Sequence, residues 1–318
     1  MPTTPDETKV MFSIVVPLYN EEKGLAALYN RIVLTMQSLS DSFEVIFADD
    51  GSTDNSFSVL KGLHEKDKRL KVVRFRKNFG KAAALTAGFN KAKGEIIITL
   101  DADLQDLPEE IPALLKTMDN GYDLVSGWKS KRKDSFLRII ASRLFNSVTS
   151  FYTGVKIHDF NCGFKCYRRE VIEELELYGE LYRYIPVLAS WKGFKVGEVK
   201  VDHHPRVHGK SKYGSERFLR GFFDLLTVIM LTKYPEKPLH FFGLLGTILS
   251  FVGLAINIYM AVLRISGKWI SNRPILLLGI LLLILGVQFI FFGLIGELIV
   301  FSSRKEISYT IKETLDSN

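Results

Sequence analysis

The sequence predicts an α/β protein: a cytoplasmic domain on a Rossmann-like, mostly parallel sheet, then a juxtamembrane amphipathic segment and two transmembrane helices. Three observations carry this prediction. Short apolar runs alternate with helical patterns over the first hundred residues, as βαβ units require. The apolar excess gathers after residue 240. There, Phe241 to Leu263 and Pro274 to Gly296 each run without a charged residue. At ~1.5 Å per residue, either stretch crosses a hydrocarbon core of ~30 Å.

The elements follow in order. Phe12 to Leu18 (FSIVVPL) is a continuous apolar run ending at Pro17-Leu18, the pattern of a strand covered on both faces. Glu21 to Leu39 has helical periodicity, and Phe43 to Ala48 (FEVIFA) is a second strand. Thr53 to His64 reads as a helix, Leu70 to Phe75 as a strand, and Gly80 to Lys91 as an Ala-rich helix. Glu95 to Leu100 (EIIITL) is a fourth strand running straight into Asp101. Ligands of such sheets bind beyond the carboxyl ends of the strands. The polar clusters Tyr19-Asn20-Glu21, Asp49-Asp50 and Asp101-Ala102-Asp103 fall there. The chain has no Gly-x-Gly-x-x-Gly turn after its first strand and no Gly-x-x-x-x-Gly-Lys-Ser/Thr loop, which disfavours a dinucleotide oxidoreductase and a P-loop NTPase.

The 318-residue chain carries a formal net charge of +7. That balance suits nucleic acid, anionic lipid or a phosphorylated substrate equally. The basic runs hug the membrane end and lack interleaved aromatics, so a nucleic-acid partner is not expected. Its two cysteines, Cys162 and Cys166, are too few for a disulfide scaffold or a four-ligand zinc site and read as free thiols. Met1 to Thr8 is polar, with no apolar signal segment after it. The expected division is a catalytic domain over 1–214, a juxtamembrane region over 215–238, membrane helices within 239–301 (about 241–263 and 274–300) and a tail over 302–318. Glu216 to Met230 (ERFLRGFFDLLTVIM) fits a helix lying on the membrane surface. Lys233 and Lys237 before the spans, with Arg304 and Lys305 after them, place both termini in the cytoplasm. Asn257 and Gln288 are expected to pack helix against helix, and the span glycines to allow close approach within or between chains. A homo-oligomer through these helices is one expected partner arrangement.

Asp101 and Asp103 follow a buried strand, and carboxylates that close repel unless a cation lies between them. Hard oxygen ligands favour Mg²⁺ or Mn²⁺, which would bridge the phosphates of a nucleotide diphosphate. Ser52 or Thr53 is expected to cap the helix that follows. Asp50 is read as a contact to the base or ribose.

VVPLYNEE (15–22), DDGSTDNS (49–56), RKNFGKAAALTAGF (76–89) and DADLQDLPEEI (101–111) together resemble the inverting family 2 glycosyltransferases with the GT-A fold. The chain is most similar to their dolichyl-phosphate mannose synthase branch, and within it to bacterial polyprenyl-phosphate glucosyltransferases of the GtrB type. The resemblance implies an enzyme of the inner (plasma) membrane that moves a hexose from a nucleotide-sugar, UDP-glucose first among candidates, onto undecaprenyl phosphate for cell-envelope glycosylation. Mannose, GlcNAc and aminoarabinose-type sugars are the alternatives. It further implies that Pro17, Tyr19, Glu21 and Asp50 line the nucleoside site and that Lys81 lies near the phosphates. Asp101, Ala102 and Asp103 meet the nucleotide-sugar, with Asp101, Asp103 and Gln105 as the metal set.

Lys129 to Arg143 carries six basic residues against one acidic. Arg138 and Ser142, four apart, share one helix face. With Lys129 they match the family positions that grip the acceptor phosphate. Asp159 falls where other branches place a general base. A lipid phosphate is already anionic near neutral pH, so Asp159 is expected to orient the acceptor. Arg206 and Lys212, in the basic loop after His203 and His204, are expected to stabilise charge on the leaving diphosphate. A polysaccharide transferase acting on a hydroxyl acceptor and a non-catalytic membrane scaffold are the rival expectations.

Overall fold

A computed structural model of the chain describes residues 10–130, 146–147, 149–151, 153–175, 177, 181–202, 227, 230, 234, 237–269 and 274–303. The chain forms two compact units, Met1–Leu225 and Leu226–Asn318. Arg138, Ser142, Arg206, Lys212, nearly all of the expected surface helix at 216–230, and the terminal tail from residue 304 lie outside the described residues.

The first unit is a seven-stranded sheet in the order β3-β2-β1-β4-β6-β5-β7. Its strands are β1 (Phe12–Leu18), β2 (Phe43–Asp49), β3 (Leu70–Arg74), β4 (Ile96–Thr99), β5 (Leu124–Lys129), β6 (Lys165–Arg168) and β7 (Val196–Val201). Pairing is parallel except for β6, which runs antiparallel to both β4 and β5. Helices α1 (Leu25–Gln37), α2 (Ser56–Lys66), α3 (Lys81–Lys91), α4 (Ile111–Met118), α5 (Arg169–Glu173) and α6 (Ile185–Trp191) cover the two faces.

The continuous apolar strands are explained by burial on both sides. Ile14, Val16 and Leu18 face a core shared with Leu25, Leu28 and Leu114. Val15 faces a second core with Leu85, Phe89 and Tyr167. Side chains alternate along β1, so neither face tolerates a polar run. The helix starts differ from expectation. α1 begins at Leu25 and α2 at Ser56, because the polar residues before them bond across loops. Ser52 Oγ accepts from Asn20 N at 2.9 Å, and Thr53 N donates to Asn20 Oδ1 at 2.8 Å. Neither Ser52 nor Thr53 caps α2.

Near the amino-terminal end of β2, Glu44 is buried to 3% exposure. Ser13 Oγ and Lys93 N each donate to its Oε1 at 2.6 Å, and Lys71 pairs with its Oε2. Burial alone would raise the pKa of Glu44, but these donors outweigh it and hold the carboxyl below 4.5.

The second unit is an antiparallel pair, α7 (Pro238–Ile265) and α8 (Pro274–Ser303), both long and apolar enough to cross a membrane. The expected glycine seam forms within one chain. A methyl group on Gly253 would lie 2.7 Å from Gly279 O and Leu283 N, and one on Gly246 would lie 2.5 Å from Gly286 O. Asn257 packs at this seam and donates to Gly253 O at 2.9 Å. Gln288 does not pack there and is exposed. Two residues past Gly286, it is turned by about 200° around the helix from the seam. Glu297 accepts from Leu239 N at 3.3 Å, satisfying one of the orphan donors in the first turn of α7.

Two predictions follow from this packing. Glu44→Gln removes a buried charge that stabilises above pH 4.5 and loses its effect as pH falls below that value. Denaturant unfolding should show a loss of about 2 kcal/mol at pH 7 that shrinks in acid. Gly253→Ile should lower the melting temperature in detergent by overpacking the seam, at a cost of about 1–3 kcal/mol, whereas Gly243→Ala, which meets only Leu239 of its own helix, should not.

Candidate active site

The strand order reverses between β1 and β4, and the loops leaving their carboxyl ends diverge there to open a crevice. β6 is antiparallel to β4, with Thr99 opposite Lys165. The segment entering β6, Asp159 to Phe164, is thereby brought to the edge from which Asp101 emerges. β5 runs parallel to β4, so Lys129 ends at that same edge. Tyr19 to Glu21, Asp49-Asp50, Asp101 to Asp106, Lys129 and Asp159 to Lys165 thus converge from loops far apart in sequence.

Asn20, at φ 55°, ties the first two loops through the bonds to Ser52 and Thr53. Gly51, at φ 72°, packs so tightly that a methyl group there would lie 2.5 Å from the Lys77 carbonyl carbon. Asp50 is 4% exposed. Its Oδ1 accepts from Phe79 N at 2.6 Å and its Oδ2 from Gly80 N at 2.9 Å. Burial pushes its carboxyl up, with Asp49 adding to the effect and the two amide donors opposing it. Asp50 therefore shapes the Arg76 to Gly80 loop, a role the sequence reading did not assign to it.

β4 ends at Thr99, so Asp101 and Asp103 lie on a turn, and strand alternation does not align them. Leu104, at φ 61°, is held in a left-handed conformation that costs ~1–2 kcal/mol for a residue with a side chain. Asp103 Oδ1 accepts from Gln105 N at 3.2 Å. Lys81 Nζ lies 2.5 Å from Asp101 Oδ1 and 5.3 Å from the centre of the Tyr182 ring. Burial raises the pKa of Asp101, but Lys81, helped by Lys129 and Lys165, holds the carboxyl below its ordinary range.

Lys129 pairs with Asp106 at 2.5 Å; the two side chains are 12% and 1% exposed. Burial lowers the pKa of this lysine, yet Asp106 more than compensates and raises it. The pair ties the end of β5 to the loop that carries Asp101 and Asp103. Asp159 is 1% exposed, and its Oδ1 accepts from Asn161 N at 3.2 Å.

Several residues at this edge were missed in the sequence. Lys165 is 3% exposed and donates to Cys162 O. Burial lowers its pKa, while the nearby Asp159 and Asp101 carboxylates oppose the fall. A small, partly open pocket is lined by Pro17, Lys81, Asp101, Asn161, Lys165 and Tyr182. Asn161 Oδ1 is buried there without a hydrogen-bond partner. Cys162 and Cys166 are free and buried, and burial pushes the Cys162 thiol up to about 12, so it stays neutral. Tyr19, Glu21 and Gln105 stand on the crevice loops.

A divalent cation fits the chemistry of this edge. Asp101, Asp103, Gln105 and the unpartnered Asn161 Oδ1 offer only hard oxygen donors. No group of three or more His, Cys, Asp or Glu side chains gathers at one point among the described residues, so substrate oxygens would have to complete the shell.

The geometry can be set beside known proteins. Over 313 residues the chain is 37% identical to a dodecaprenyl-phosphate galacturonate synthase of Rhizobium johnstonii, covering 96% of this chain and 93% of that one. Over 290 residues it is 38% identical to an undecaprenyl-phosphate 4-deoxy-4-formamido-L-arabinose transferase of Pseudomonas paraeruginosa, covering 90% and 84%. Among solved structures, a mannosyltransferase from Pyrobaculum calidifontis in complex with GDP-Man and Mn²⁺ matches with a TM-score of 0.51 at 22% identity, over 71% of this chain and 65% of that one. Glucosyl-3-phosphoglycerate synthase from Mycobacterium tuberculosis, in complex with Mn²⁺, UDP-glucose and phosphoglyceric acid, matches at 0.55 and 18% identity, over 69% and 79%. These structural likenesses establish the GT-A fold. Residues 13–176 match Glycosyl transferase family 2, and the chain belongs to that family.

Proposed function

We propose that this chain transfers a sugar from a nucleotide-sugar to a polyprenyl phosphate at the membrane surface, inverting the anomeric carbon. One observation carries the reading. Two relatives whose names specify a polyprenyl phosphate align over 96% and 90% of this chain.

In this reading the acceptor phosphate oxygen forms a bond to the anomeric carbon as the bond from that carbon to the diphosphate breaks. The nucleoside diphosphate departs with the electron pair. A divalent cation, Mg²⁺ or Mn²⁺, held by Asp101, Asp103 and Gln105 would neutralise charge on that leaving group. Lys81, beside Asp101, turns its ammonium to the same phosphates. Pro17, Tyr19, Glu21 and Asp50 bound the nucleoside end, and Arg206 and Lys212 stabilise charge on the diphosphate. Asp159 is buried near Lys165 and orients the acceptor. No base is needed, because a phosphate monoester is already largely ionised near pH 7. Arg138, Ser142 and Lys129 grip the acceptor phosphate, Lys129 with the donors its pairing with Asp106 leaves free. Membrane anchoring raises the local acceptor concentration, and the flanking cations favour cytoplasmic termini. The relatives' names carry a galacturonate and a formamido-arabinose, so a donor screen has to extend beyond UDP-glucose.

The test is transfer by the purified full-length chain with undecaprenyl phosphate and a panel of nucleotide-sugars. Asp101→Asn should lower kcat at least ~100-fold. Arg138→Ala should raise KM for the lipid phosphate far more than KM for the donor. Transfer only to hydroxyl acceptors would overturn the reading.

A further inference from the structure

We propose that the Asn161–Cys162–Gly163 turn is a positioning element for the Asp101 carboxylate, so that the segment on the acceptor side sets the affinity of the cation site. This rests on the cation reading above and deepens it.

The contact is direct. A methyl group on Gly163 would lie 2.6 Å from Asp101 Oδ2 and 2.7 Å from its Cγ and Oδ1. All three carboxylate atoms thus rest against the bare Cα of Gly163, and any side chain there displaces them. The turn is itself fastened to the sheet. Thr99 Oγ1 donates to Gly163 O at 2.8 Å, and Lys165 donates to Cys162 O. Thr99 and Lys165 are 2% and 3% exposed and lie opposite one another in the β4–β6 pairing. One rung of the sheet therefore holds two carbonyls of the turn, those of Cys162 and Gly163, and the turn holds one face of Asp101. Lys81 meets Asp101 Oδ1. The carboxylate is fixed between an ammonium and a glycine, with little freedom to reorient.

The arrangement links two halves of the site that are remote in sequence. Movement of Asp159 or Asn161 on meeting an acceptor is transmitted through Gly163 to Asp101. Outer residues that orient a ligand commonly alter metal affinity by ~10–100-fold when changed. Gly163→Ala should fall in that range, and Thr99→Val, which removes the hydroxyl at nearly constant volume, should act in the same direction with a smaller effect.

The experiment reads Mn²⁺ binding to the full-length chain in detergent by electron paramagnetic resonance, with Mn²⁺ alone and with UDP or GDP added as probes. The expected result is binding by the wild type, its loss in Asp101→Ala, and an affinity at least about tenfold weaker in Gly163→Ala. Activity of Gly163→Ala should recover toward wild-type kcat at high Mn²⁺, a split that general misfolding does not produce. If Gly163→Ala fails to fold, Thr99→Val and Lys165→Met decide by the same readout. Wild-type Mn²⁺ affinity in the folded variants, with Asp101→Ala still losing it, would overturn the positioning role alone. Absence of Mn²⁺ binding by the wild type with either nucleotide would overturn the cation reading and this inference with it.

Discussion

The placement of one carboxylate, Asp101, governs the arrangement of everything around it. It emerges where β4 ends, beside the reversal in strand order, with Lys81 at 2.5 Å on one side and Gly163 pressed against the other. Its side chain is 32% exposed, and cations close by favour its charged form. The structure supplies Lys81 directly, with Lys129 and Lys165 further off. Those lysines come from three separate segments, so the charge balance of the site also fastens the fold at that edge.

The Asp106–Lys129 pair makes the same point on a neighbouring loop. Buried ion pairs gain little net stability against apolar replacements. Their value here is geometric, since the pair anchors the loop carrying Asp101, Asp103 and Gln105 to the end of β5. Asp50 likewise spends its carboxylate on two backbone amides, setting the loop that leads into α3 and to Lys81. Asp50 and Lys129 thus also hold the loops that line the crevice.

What was legible in the sequence was local. FSIVVPL and FEVIFA read as strands because both faces are buried, and the two apolar spans read as helices because of length and the absence of charge. The helix starts were misplaced because Asn20, Ser52, Thr53 and Asp54 satisfy one another across loops, and no single loop reveals that. Asp101, Asp103 and Asp159 were visible as polar residues at strand ends. Lys165, Asn161 and Tyr182 were not, since only the antiparallel insertion of β6 and the turn before α6 bring them to the crevice. Lys129 looked like one member of a basic run, and nothing nearby in sequence marks Asp106 as its partner. Gln288 was expected at the helix seam, but its angular distance from Gly286 turns it outward.

The central claim is that this edge performs sugar transfer from a nucleotide-sugar to a lipid phosphate by a single displacement. Its most direct test is the chemical structure of the lipid product, read by ³¹P and ¹H nuclear magnetic resonance after incubation with undecaprenyl phosphate and a nucleotide-sugar that the enzyme accepts. The account predicts a single phosphodiester phosphorus and an anomeric configuration opposite to that of the donor. A lipid diphosphate, or a retained configuration, would contradict it.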